Sequence, residues 1–319
     1  MIKTSKQKTF VIINSYYLGD ILLVNPLIQN IKRIWPNSKI VMLTPETFVD
    51  VAKYQKGVDD VIVWDRADKH KGVINTFKFV LNFPYKNIFA CFPIYSTYRP
   101  IILSKLLGAK YILAVKKNRE IDLLISNKKR EIGSEESVQE VSIKLLERIT
   151  NEKLINVPMV YDIPNIPSKF DNLKQQFGEY IVLSPISSRR EKDMPIETLK
   201  EIISNTKTKV VLLGHGNLIK NLSEELSKEK FDNLIDFTNK TSIVDLAKII
   251  KSSKGVISVD TGILHFACAL DIPVLGVFYV VGKSPFMPNS DIYKSDIIME
   301  NLTAENICNK FSELVSKYN

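Results

Sequence analysis

The sequence predicts an α/β protein of two Rossmann-like domains, each a parallel sheet with helical crossovers, facing a central cleft. Three observations carry this. Short apolar runs of strand length alternate with amphipathic stretches along the chain, the pattern of parallel strands joined by crossover helices. The alternation stops around Pro158, Pro164 and Pro167, the composition of a linker, and then restarts. The 319 residues suffice for two domains of ordinary size. The domains are set at 1–160 and 161–319, with the last helix a candidate to pack back on the first.

In the first half, Phe10–Asn14 is a short buried strand. Gly19 and Asp20 lead into apolar positions at 21, 24, 27, 28, 31, 34 and 35, a helical period. Pro26 belongs in or near the first turn, because a deeper proline would break the helix. Strands follow at Lys39–Leu43, Val61–Trp64 and Asn87–Phe92, with helices at Phe48–Gln55 and Val73–Phe83 between them. Arg99–Leu107 is a helix ended by Gly108, and Ser134–Ile149 a longer amphipathic one. In the second half, strands are expected at Tyr180–Ser184, Val210–Leu213, Leu234–Phe237, Gly255–Val259 and Val274–Phe278. Helices are expected at Ile196–Asn205, Asn221–Lys228, Ile243–Ser252, 263–270 and Thr303–Tyr318. Ligands of such sheets bind at the carboxyl ends of the strands.

Composition narrows the class. No apolar run approaches the ~18 residues that span a bilayer, and Asn14 and Ser15 interrupt the first apolar run, so no signal peptide is expected. Cys91, Cys268 and Cys308 are far apart and unpatterned, which points to reduced thiols in a cytoplasmic protein rather than a disulfide frame or zinc site. The net charge of +9 sits wholly in residues 1–165, with 25 Lys/Arg against 16 Asp/Glu; residues 166–319 carry 19 of each. Either that half meets an acidic partner, such as anionic lipid, phosphorylated glycan or nucleic acid, or the lysines are simply unevenly spread.

Three polar clusters interrupt the apolar pattern. In "SVDTGILHFACALDIPVLGVF", Asp260, Thr261 and Gly262 occupy the turn from a strand to a helix, with His265 in the first turn. Exposed backbone N–H groups and the positive end of the helix dipole make that turn a phosphate site; helix capping plus a core histidine is the other reading. In "NSYYLGDILLVNPLI", Asp20 follows the first strand, where a carboxylate could take a proton from a hydroxyl or cap the helix. In "SPISSRREKDMP", Ser187, Ser188, Arg189, Arg190 and Lys192 follow the strand 180–184. Hydroxyls and cations there suit a diphosphate and could neutralise developing charge without a metal; a solvated basic loop is the alternative.

The chain resembles glycosyltransferase family 9, the ADP-heptose:lipopolysaccharide heptosyltransferases, over nearly its whole length. The resemblance rests on "LGD" at 18–20 with "NPLIQNIKRIWPNSKI", on "SSRREK" at 187–192, on "DFTNKTSIVDLAKII" at 236–250, and above all on the Asp-Thr-Gly segment. It implies the two-domain GT-B fold, with acceptor bound by the N-terminal domain and nucleotide sugar by the C-terminal one. It implies that Asp20 is the general base and that Lys192 binds the donor diphosphate beside Ser187, Ser188 and Arg189. Asp260 would lie near the sugar, Thr261 and Gly262 at the phosphates, and His265 within the same motif. Arg99, Lys105, Lys110, Lys116, Lys117 and Arg119 are candidates to meet an acidic acceptor.

The activity implied is inverting transfer of a sugar, heptose from ADP-heptose in the first place, to a lipopolysaccharide core or related acidic glycan. No cofactor or metal is required on this reading, since the nucleotide sugar is a co-substrate. The implied partners are nucleotide sugar, an acidic glycolipid and an anionic inner-membrane surface, not nucleic acid. The implied location is cytoplasmic, with a peripheral position on the inner membrane. A nucleotide-sugar epimerase of the same architecture and a non-catalytic nucleotide-sugar binder are the alternatives. The chain departs from the family pattern in three places. Tyr279, Val280 and Val281 stand where Gly-Pro-Thr is usual, no acid follows the strand 210–213 until Glu224, and Tyr16 and Tyr17 precede "LGD".

Overall fold

Runs of β-branched and aromatic residues set the strands, and both sheets are wholly parallel, so their central strands are buried on both faces. The computed structural model describes residues 7–14, 17–94, 97–114, 137–280 and 287–318. It divides after Val157 into two units, Met1–Val157 and Pro158–Asn319.

The first unit holds β1 (Thr9–Ile13), β2 (Lys39–Thr44), β3 (Asp60–Val63), β4 (Ile88–Pro93) and the two-residue β5 (Tyr111–Ile112), in the order β3-β2-β1-β4-β5. Its helices are α1 (Leu18–Leu23), α2 (Asn25–Ile34), α3 (Val49–Lys53), α4 (Gly72–Leu81), α5 (Tyr98–Leu106) and α6 (Val138–Leu146). The single helix expected after β1 is two. Val24 separates α1 from α2, and Pro26 sits in the first turn of α2, where its missing N–H costs nothing. Gly108 closes α5 in the left-handed region, at φ +73°. Ser137 caps α6: its hydroxyl accepts the Glu140 N–H, and the Glu140 carboxylate accepts the Ser137 N–H. Residues 134–136, placed in that helix from sequence, lie outside the described residues.

Strand order reverses beside β1, so α1–α3 and α4–α5 cross on opposite faces of the sheet. On the α4–α5 side Phe79, Val80, Phe83 and Leu103 pack on Val11, Ile13, Val41 and Leu43, with Trp64 closing the layer.

The second unit holds β6 (Tyr180–Ser184), β7 (Lys209–Leu212), β8 (Leu234–Asp236), β9 (Val256–Val259), β10 (Val274–Val277) and β11 (Ser295–Ile298), in the order β11-β10-β9-β6-β7-β8. Its helices are α7 (Leu173–Phe177), α8 (Ile196–Asn205), α9 (Asn217–Leu226), α10 (Ile243–Ser252), α11 (Gly262–Ala269) and α12 (Ala304–Tyr318). The last helix, α12, buries Ile307, Phe311 and Leu314 in the core of this unit, beside Ile257 and Leu275. β5, α7 and β11 have no counterpart in the sequence reading. Each is five residues or fewer, too short for a periodicity to register.

Gly255 leads into β9. A Cβ there would meet Phe311 Cζ of α12 at 2.9 Å and the Pro273 carbonyl oxygen at 3.0 Å. That carbonyl accepts the Val256 N–H at 2.9 Å and cannot retreat without loosening β9. Gly255→Ala should therefore destabilise the protein by about 1–3 kcal/mol, as overpacking does. Urea denaturation measures this, and an unchanged midpoint would mean that Phe311 gives way freely.

Candidate active site

Strand order in the second sheet reverses between β6 and β9, and loops leaving neighbouring strands diverge at such a point and open a crevice. The loop after β6 is braced from within. The Met194 N–H donates to the Pro185 carbonyl at 2.9 Å, and the Ser187 N–H to Asp193 Oδ1 at 2.7 Å. Burial raises the Asp193 carboxyl above its ordinary range. The buried Ser187 hydroxyl accepts the Arg189 N–H at 2.9 Å and donates to the Arg189 carbonyl at 2.8 Å, so it shapes the loop. Ser188 and Arg190 are exposed, and Arg189 pairs with Glu191 at 2.9 Å on the outside.

From the other strand comes the Asp-Thr-Gly turn. Thr261 is the N-cap of α11: its Oγ1 accepts the Ile263 N–H at 3.1 Å and lies 3.4 Å from the Ser258 hydroxyl. Gly262 opens the helix. Lys192 reaches across from the β6 loop and donates from Nζ to Asp260 Oδ2 at 2.5 Å, with side-chain exposures of 18% and 7%. An ammonium has three donors, and this bond uses one. A carboxylate alone beside α11 would repel an anion; with Lys192 bound to it the pair is neutral. The helix N-terminus and the remaining ammonium donors then set an attractive field for phosphate.

His265 lies behind this corner, 3% exposed. Burial lowers its pKa to about 4; Asp260 raises it and Lys192 lowers it by smaller amounts. The imidazole is thus neutral at pH 7 and supports the turn rather than serving as a cationic phosphate ligand. Its Nδ1 is buried without a partner among the described residues.

The first sheet reverses between β1 and β4. Asp20 stands there in α1, directly after β1, and is 5% exposed. Its Oδ2 accepts the Tyr17 N–H at 3.2 Å, and its carbonyl accepts from Asn14 Nδ2 at 2.7 Å. The helix-end role is therefore present, and the same contacts fix where the carboxylate stands. Asn14, which ends the first apolar run in the sequence, is fully buried at the end of β1, and its tie to Asp20 is visible only in the structure. Of the acceptor candidates, Arg99 and Lys105 are exposed on α5, and Lys110 Nζ lies 5.2 Å from the Tyr111 ring centroid. Lys116, Lys117 and Arg119 lie outside the described residues, as do Tyr16 and Val281.

The sequence pattern of glycosyltransferase family 9 (heptosyltransferase) matches residues 102–309. The chain belongs to this family. Lipopolysaccharide heptosyltransferase 1 of Escherichia coli O18:K1:H7 (strain RS218 / NMEC) is 24% identical over 286 residues, 84% of each chain. Among solved structures, the family 9 glycosyl transferase of Veillonella parvula DSM 2008 matches with a TM-score of 0.80 and 15% identity, over 98% of this chain and 99% of that one. Escherichia coli heptosyltransferase WaaC with ADP matches at 0.73 and 19%, over 97% and 98%. The fold is thus the GT-B type of two parallel Rossmann-like sheets, and the protein is a glycosyltransferase.

Two features of this family 9 chain were hidden in its sequence. No acid follows β7 along the chain until Glu224, but pairing places Asp236, the end of β8, directly beside Leu212 of β7. Burial pushes the Asp236 carboxyl up; bonds from Ser223 and Thr238 outweigh that and hold it below the usual range. After β10, Tyr279 is half buried and burial pushes its phenol up to about 12, while Val280 is 44% exposed.

His265 also predicts a pH dependence. The folded imidazole protonates near 4 and an unfolded one near 6.5. Between these values the unfolded state binds the extra proton. Stability is therefore full above pH 6.5 and falls as pH drops towards 4, by about 3 kcal/mol in all. Urea midpoints across that range measure the slope. His265→Gln should flatten it, and a variant with the native slope would assign the effect to other groups.

Proposed function

We propose that this glycosyltransferase moves heptose from ADP-heptose to an acidic, lipid-anchored inner-core acceptor of lipopolysaccharide, with inversion and without a metal. One observation carries the donor side. A lysine from the β6 loop and an Asp-Thr-Gly helix N-terminus from β9 converge at one switch point, bridged by the 2.5 Å contact of Lys192 with Asp260. The choice of heptose, ADP and lipopolysaccharide rests on likeness to the heptosyltransferases named above. The basic first half supports an acidic acceptor. Such an acceptor would hold the enzyme at the cytoplasmic face of the inner membrane.

In this mechanism the acceptor hydroxyl gives its proton to the Asp20 carboxylate as its oxygen attacks the anomeric carbon. The bond from that carbon to the diphosphate oxygen breaks on the opposite face, and its electron pair leaves with ADP. The N–H groups at Thr261–Gly262 and the ammonium of Lys192 stabilise the departing charge. Asp260 orients Lys192 and lies towards the sugar.

Asp20→Asn keeps an oxygen for the Tyr17 N–H and removes the base. It should lower transfer by about 10²–10⁴-fold and leave ADP-heptose affinity unchanged by calorimetry. Native activity in this variant would end the base assignment. Lys192→Ala should weaken ADP-heptose binding about tenfold or more, as loss of a charge-assisted hydrogen bond does. Transfer by the native enzyme should persist in EDTA. An unaltered dissociation constant for Lys192→Ala, or inactivation by the chelator, would refute the metal-free clamp. Donor alone should remain unchanged; its epimerisation would favour the rival chemistry.

A further inference from the structure

We propose that the outer face of α4 and α5 is the surface by which this chain lies on an anionic lipid bilayer. The proposal deepens the reading of a lipid-anchored acceptor by naming the face that meets the lipid, but its geometry does not depend on the transfer reaction.

The first observation is apolar exposure. Helix α4 buries none of its residues fully; it rests on the sheet through Phe79 and Val80. Val73, Ile74, Phe77 and Leu81 project outward with exposures of 81%, 72%, 51% and 71%. At a helical 100° per residue these four fall within an arc of about 100°. The neighbouring helix α5 does the same with Tyr98, Ile102 and Leu106, exposed by 44%, 43% and 39%. Single exposed apolar side chains are ordinary, but a contiguous set on adjacent helices marks an interaction surface.

The second observation is charge. No Asp or Glu lies between Asp68 and Glu120, a tract that carries ten Lys and Arg. Both helices belong to it. Lys71 and Lys78 border the apolar stripe of α4 on one side, and Arg99 and Lys105 flank that of α5 on either side. All four are exposed, and among the described residues none forms an ion pair. A recess of about 500 Å³ beside α4, lined in part by Lys69, Asn75, Lys78 and Asn82, offers room for head groups.

Apolar side chains rimmed by cations on a helix parallel to a surface are the pattern of an interfacial membrane contact, in which the apolar face enters the acyl boundary and the cations meet anionic head groups. A second copy of the chain fits poorly, because a symmetric contact would bring one basic rim against another. A protein partner fits less well than lipid: lysine is depleted from protein interfaces, and aliphatic side chains standing proud of a convex helix suit a fluid phase. No helix among the described residues is long and apolar enough to cross a membrane, so the contact proposed is with the surface.

The test is co-sedimentation of the full chain with vesicles of phosphatidylcholine containing phosphatidylglycerol, and with phosphatidylcholine alone. Binding should need the anionic lipid and fall about tenfold or more when salt is raised. The double substitution Ile74→Ser with Phe77→Ser, and separately Lys71→Ser with Lys78→Ser, should each weaken it about tenfold or more. Their thermal midpoints, and their transfer to a delipidated soluble acceptor, should stay native. The Phe77→Trp variant should shift its emission to the blue on anionic vesicles. Absence of vesicle binding, native binding by the Ile74→Ser, Phe77→Ser double variant, or unshifted emission from Phe77→Trp would overturn the proposal. So would a concentration-dependent dimer, abolished by the same double variant, in a protein that ignores vesicles. A failure confined to vesicles leaves the transfer reading standing, and a failure of transfer leaves the vesicle result intact.

Discussion

The ion pair of Lys192 with Asp260 joins two loops that the chain separates by 68 residues. Its value lies in what each member does to the other. Asp260 is almost wholly removed from water, and an isolated carboxylate there would be costly and would repel an anionic ligand. Lys192 is a long flexible side chain, and the pair meets the rotamer-entropy cost of ordering it before any ligand arrives. Paired, the carboxylate is neutralised and the ammonium is pinned at the mouth of α11 with donors to spare. Buried Ser187 and half-buried Asp193 serve the same end one step removed, by holding the loop from which Lys192 reaches.

The pair can form because the sheet is parallel and its strand order reverses between β6 and β9. Parallel strands deliver successive loops to one edge, and a reversal leaves two of them with open space between. The first sheet repeats the arrangement at β1 and β4, where Asn14 and Tyr17 position Asp20. The same topology gives each unit one point where polar side chains can gather without disturbing the apolar layers. His265, neutral and buried behind such a point, belongs with those layers as much as with the site.

The first sheet's two faces differ in what covers them. On one side α4 and α5 cap the core with Phe79, Val80 and Leu103, joined by Phe83 just after α4, yet keep a second set of apolar side chains turned away from it. A helix needs only one apolar stripe to pack on a sheet. The second stripe is exposed and adds nothing to the core, and the interfacial contact proposed above rests on it. The uneven charge of the chain points the same way, because the tract without carboxylates includes these helices.

The sequence by itself determined the class of fold and most of its elements. β6, α8 and α10 lie where their apolar periods place them, residue for residue, because burial on one or two faces writes a period into the chain. It also located the polar turns at strand ends, because polar residues interrupting an apolar run need a reason. The division of one helix into α1 and α2, and the strands β5 and β11, were not legible, since a single capping step or a few residues leave no period. What only the tertiary structure decided is which polar side chains meet. That Lys192 binds Asp260 and that Asp236 stands beside β7 both follow from strand order. Strand order is set by packing between segments far apart in the chain, and local sequence carries no record of it.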